Sequence, residues 1–111
     1  MNTNNFYEEK KRLLKESGDK KRCEQAFLLA QMLCRERNVF LTNAQQLSLL
    51  SHISAMVQRS LTGEKLIPFD RAIFSGISND SLYIAKKIKD LVMGLEEEEI
   101  YLLSIHFEAA K

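Results

Sequence analysis

Helical periodicity, broken at very few points, is what most constrains this chain. Its 111 residues include one proline and four glycines. Apolar residues recur every three or four positions, the spacing of a helix with one buried face. Alternating apolar and polar runs, the mark of a half-buried strand, are missing. The chain is therefore expected to be all-α, a single domain over residues 1–111 folded as a compact bundle of about five helices, because its length supports one core.

The spacing predicts a first helix over Phe6 to Ser17, with Tyr7, Leu13 and Leu14 on its apolar side and Gly18 as the stop. Asp19 caps a second helix running to Arg37, whose stripe of Cys23, Ala26, Phe27, Ala30, Leu33 and Cys34 reads as core. Thr42 and Gln45 form a capping-box signature for a third helix, Asn43 to Ser60, with Leu47, Leu50, Ile53, Val57 and Leu61 on its buried side. After Pro68, the spacing of Phe69, Ile73, Phe74 and Ile77 predicts a short helix closed by Gly76. A fourth helix starts at Ser78 or Asn79 and stops at Gly94. The last runs from Glu96 to Lys111, with four glutamates at its positive dipole end and too short a connection for anything but a helical hairpin.

Composition removes several classes of function. A net charge of +1 provides no global field for nucleic acid or an anionic membrane. The local basic cluster from Lys10 to Arg22 is interrupted by Glu16 and Asp19 and reads as a solvated face, so nucleic acid is not an expected partner. No apolar run is long enough to span a bilayer, and the polar start, Met1 to Lys10, is unlike a signal peptide, so a cytoplasmic location is expected. Cys23 and Cys34 would lie about 16 Å apart along one helix, beyond disulfide reach, and read as small core hydrophobes. Asn79-Asp80-Ser81 matches a glycosylation acceptor only by accident in that setting. There is no glycine-rich phosphate loop and no zinc-ligand pattern, so no cofactor, metal or enzymatic activity is expected.

The chain holds two histidines. His52 falls about 130° from the centre of the third helix's apolar stripe, at the edge of the core face or outside it, with Arg59 seven residues on and Met56 between. Spacing alone makes it a surface histidine. His106 lies among the apolar residues of the last helix, in a column with Glu99 two turns earlier, and spacing alone makes it a core or interface histidine. Burial there would lower its pKa and keep it neutral, the form in which an imidazole nitrogen is nucleophilic.

The two histidine segments resemble a known family. His52-Ile53-Ser54 with Arg59, and Glu98-Glu99 leading to Ile105-His106-Phe107 and Ala110, are similar to the two histidine signatures of the PTS regulation domain, or PRD. This is the helical module of bacterial antiterminators and activators controlled by the sugar phosphotransferase system. The segment Pro68 to Ser78 and the following Leu82 to Ile88 resemble the stretch between those signatures, so the likeness covers residues 23–111. It implies a five-helix bundle, commonly a homodimer, whose histidines accept phosphoryl groups from phosphorylated HPr or an enzyme IIB component. By that resemblance His106 and His52 are the phosphoacceptors; the chemistry of a phosphoryl anion then makes the neighbouring Arg59 a partner for it, and its place in the His106 column makes Glu99 the candidate to orient that imidazole.

Ser51 and Ala55 depart from the family's pattern around the first histidine, which makes His106 the better acceptor of the two. A single such module with no room for an output domain is expected to act alone in its chain and to signal through an output protein or a change of oligomeric state. The alternative is a helical dimerisation or scaffold protein that keeps the fold without phosphorylation.

Overall fold

Helix α3, Asn43–Thr62, is the element on which the others assemble. Its start is fixed by a reciprocal capping box: the Gln45 amide donates to the Thr42 hydroxyl at 3.1 Å, and the Thr42 amide donates to the Gln45 side chain at 2.9 Å. It ends at Gly63, whose φ of 79° lets its amide turn back to the Arg59 carbonyl. In this computed structural model, which describes residues 3–111, α3 packs against all four other α-helices: α1 (Thr3–Glu16), α2 (Lys20–Glu36), α4 (Asn79–Val92) and α5 (Glu98–Glu108). One turn of 3-10 helix, Arg71–Phe74, lies between α3 and α4. The described residues contain no strand, so the class is all-α as expected. Met1 and Asn2, the beginning of the polar start weighed above, lie outside the described residues.

The caps read from the sequence are present. Asp19 accepts from the Arg22 amide and Ser78 from the Ser81 amide, which satisfies the open donors at the starts of α2 and α4. Helix α4 ends at Val92, Met93 is its cap, and Met93 and the following Gly94 both have positive φ. The turn that follows leads straight into α5, and the two helices make the most extensive contact in the molecule. That tight return is the expected hairpin.

Apolar faces of all five helices meet in one core, with Phe27, Leu49, Leu50, Ile53, Met56, Ile84, Ile88, Leu103 and Phe107 its fully buried large residues. Cys23 and Cys34 sit in it as free thiols, and burial pushes both up to about 11, so they stay protonated and act as packing groups. The basic cluster is partly engaged within the chain: Arg12 pairs with Glu9 and Glu16, and Arg22 donates to the Val92 carbonyl. Lys11, Lys15, Lys20 and Lys21 face solvent.

Two faces differ from the expectation. On α1, Leu13 and Leu14 are buried but Tyr7 is 59% exposed. On α3, Leu61 is 55% exposed and Leu47 only half-buried, while Leu49, Met56 and Ser54 are buried. The reason is that several helices surround α3, so its buried surface is wider than one stripe and extends toward Leu49 and Met56. Ser54 belongs there because its hydroxyl donates to the Leu13 carbonyl at 2.7 Å, tying α3 to α1. The last helix is also shorter than read, Glu98–Glu108 instead of Glu96 to Lys111. Glu96 leaves the helical path to accept from the Leu66 amide, and the chain beyond Glu108 closes in a single turn.

The revised face has a measurable consequence. Leu50→Ala is expected to cost about 2–5 kcal/mol and Leu61→Ala to stay within about 0.5 kcal/mol, both read from urea unfolding midpoints at constant slope. Equal losses at the two positions would restore the narrower stripe.

Candidate functional site

The two histidines reach one place because α3 and α5 are joined by two rungs. The first is an ion pair: Arg59 Nε and Nη2 donate to Glu99 Oε2 and Oε1, both at 2.7 Å. Their side chains are 15% and 2% exposed, so the fork-to-fork pair is nearly removed from water. The second is His52 Nδ1 against His106 Nε2 at 3.1 Å, with ring centroids 5.0 Å apart and planes at 83°. His52 precedes Arg59 by seven residues and His106 follows Glu99 by seven, about two helical turns, or ~10 Å, in each case. Once α3 and α5 run past each other in opposite directions, fixing one rung fixes the other.

Each imidazole is set by its helix. His52 stands one turn from both Leu49 and Met56, fully buried residues, which places its ring against the core and not in solvent. The surface reading of His52 is therefore corrected: its Nε2 is buried and has no hydrogen-bond partner. His106 is half-buried beside Leu103 and Phe107, on the apolar face expected for it. A groove of about 250 Å³ lined by Gln45, Ser48, Ile105, His106 and Ala109 opens along its outer edge. Nothing in the periodicity pointed to that groove, because Gln45 and Ser48 read as ordinary polar positions.

The environment keeps both rings neutral. Burial, then the charge of His106 and that of Arg59, pull His52 down to about 4, and burial lowers His106 as well. Of the two facing nitrogens one carries a proton and the other accepts it. A neutral imidazole nitrogen is a nucleophile, but here the two facing nitrogens occupy each other. Any electrophile that reaches them must first part the rings.

The partners of Glu99 and Arg59 also differ from expectation. Both oxygens of Glu99 are taken by Arg59, so Glu99 does not orient the His106 imidazole; His52 does. The column His52–Arg59 and the column Glu99–His106 are both visible in the sequence, but each contact crosses between columns, and this requires knowing that the helices are antiparallel neighbours. The four consecutive glutamates diverge, as their spacing implied: Glu96 to the Leu66 amide, Glu97 to Lys89, Glu98 to Arg71 and Glu99 to Arg59.

The segment between α3 and α4 is lashed along α5. Besides Leu66 on Glu96 and Arg71 on Glu98, Phe74 is buried against Tyr101, and Glu108 accepts from the Ser78 amide and from the Ser78 and Ser81 hydroxyls at 3.1, 2.8 and 2.8 Å. Those donors hold the Glu108 carboxyl below its ordinary value. These contacts tie α5 to an outer segment carrying the exposed Ile67 and Ile73.

Two outcomes follow. Because His52 is held neutral in the folded state and takes a proton readily when unfolded, the unfolded state binds more protons as pH falls below the imidazole value of 6.5. Stability is expected to drop by about 2–3 kcal/mol between pH 6.5 and 4.5, above the range where Glu98 and Glu108 protonate. His106 adds in the same direction, and His52→Asn flattens the profile in urea titrations across that range. For the other rung, Arg59→Met alone strands a buried carboxylate and is expected to cost about 3–5 kcal/mol, while Arg59→Met with Glu99→Leu recovers most of it; a double variant as unstable as the single would contradict this.

No protein-family model and no curated protein matches the chain. Among solved structures, a PRD-containing transcription regulator from Lactobacillus casei ATCC 334 is similar at 32% sequence identity, with a TM-score of 0.85 over 92% of this chain and 91% of that one. The chain belongs to the PRD-containing family.

Proposed function

We propose that this protein is a phosphorylation-responsive regulatory module of the bacterial sugar phosphotransferase system, with His106 and His52 as phosphoacceptors. Phosphorylated HPr or an enzyme IIB component is the donor. The module is a regulator and not an enzyme; it works in the cytoplasm as a homodimer and signals through protein contacts to an output protein in transcriptional or metabolic control. The observation that carries this reading is the meeting of two neutral imidazoles, one from each signature helix, at 3.1 Å.

The physical logic is a packed contact that a modification cannot leave intact. A phosphoryl group adds about 1.5–2 negative charges and several acceptor oxygens, and there is no room for it between nitrogens 3.1 Å apart. The rings must part, and with them the α3–α5 packing at this level. Arg59 is a cation whose charge already reaches His52, but turning to the new charge leaves Glu99, 2% exposed, without a partner. Phosphorylation therefore sets the two rungs in competition and makes a two-state element of the helix pair. The likeness to a transcription regulator supports a regulatory role for the output.

Incubation with phosphorylated HPr followed by mass mapping tests the reading. Label on His106 is expected, with loss of that site's label in His106→Ala and a weaker or separate signal on His52. Absence of label from both histidines would contradict the phosphoacceptor reading and leave a scaffold of the same fold.

A further inference from the structure

We propose that His106 and His52 exchange a phosphoryl group within one chain, so that the pair is an internal phosphoryl relay and not two independent acceptors. The proposal rests on the phosphoacceptor reading for its starting state and adds an activity to it. Its basis is the identity and direction of the atoms that meet: His106 Nε2 faces His52 Nδ1 at 3.1 Å. A phosphoryl group attached to His106 Nε2 extends from that nitrogen into the contact where His52 Nδ1 is its hydrogen-bond partner. The second imidazole then stands opposite the bond that breaks, which is the in-line arrangement phosphoryl transfer requires.

The transfer balances without a co-reactant. His106 begins with phosphorus on Nε2 and a proton on Nδ1, and His52 begins as the neutral ring with its proton on Nε2. His52 Nδ1 donates its electron pair to phosphorus as the bond to His106 Nε2 breaks and returns its pair to that ring. His106 is left neutral with its Nδ1 proton, and His52 carries phosphorus on Nδ1 and its proton on Nε2. Neither distal proton moves, and the reverse step is the same reaction read backward.

Distance and surroundings suit the step. A near-attack separation of about 3–3.5 Å between nucleophile and reacting atom needs the rings to move apart from their contact by roughly one N–P bond, the same parting that loading itself requires. His52 Nε2 is buried, and Leu49, Met56, Leu103 and Phe107 around the pair are fully buried, which limits attack by water. Arg59 is close enough for its charge to disfavour a proton on His52, and the same charge favours a phosphoryl anion there. The groove beside His106 gives an external donor its approach to that ring, while His52 has no such opening in its buried nitrogen. The order of events is thus loading at His106, then passage to His52.

Phosphoramidate, a small histidine-phosphorylating reagent, tests the relay without any protein donor. The full-length chain is pulsed, the reagent removed, and occupancy of each histidine followed by mass mapping. Label is expected on His106 first and then on His52, with a rate constant unchanged by dilution, while His52→Ala holds its label on His106 until hydrolysis. Label that stays on His106 in the unsubstituted protein, or that reaches His52 only at a rate that falls with dilution, overturns the relay. Label from phosphorylated HPr with no movement would keep the regulatory reading and remove the relay; movement after phosphoramidate with no label from HPr would do the reverse. Failure of both reagents to label either ring would remove both.

Discussion

The Arg59–Glu99 ion pair is the constraint on which the site depends. Two charges nearly withdrawn from water gain little net stability, because desolvation offsets most of their attraction. What the pair does supply is register. A fork of two 2.7 Å bonds tolerates neither a slide of α5 along α3 nor a rotation of either helix without leaving a buried charge unpartnered. Seven residues away on each helix, that register brings His52 to His106. Apolar packing is non-directional and fixes register less sharply than such a fork.

Much of the fold was legible because helices announce their ends chemically. Asp19, Thr42 with Gln45, and Ser78 are caps in the structure as in the sequence, and Gly94 follows the real end of α4. The stripe on α2 was read correctly because that helix buries a single face. On α3 the same reasoning displaced the stripe, since a helix surrounded by four others has no single face to find. That displacement put His52 at the edge of the core face or outside it and made it read as a surface residue, when its neighbours Leu49 and Met56 carry it inward.

The site was half legible for a related reason. Two columns with seven-residue spacing, His52–Arg59 and Glu99–His106, were both visible, but contacts within a column were the only ones spacing could suggest. Glu99 was therefore assigned to His106, its neighbour along the helix, and not to Arg59 across from it. The correct assignment needs two further facts, that α3 and α5 are neighbours and that they are antiparallel. The complementary charges of Arg59 and Glu99 were the signal that could have supplied both. The family resemblance pointed to the histidines as a pair, but it does not contain the direct nitrogen-to-nitrogen contact.

That contact is the centre of the account, because the neutral state of the rings, the competition for Arg59 and the passage of a phosphoryl group all derive from it. Nitrogen-15 NMR of the imidazole rings observes it directly. A through-hydrogen-bond coupling between His52 Nδ1 and His106 Nε2 is expected, with His52 staying neutral until the pH approaches 4. Two uncoupled rings, each titrating near 6.5, would contradict it.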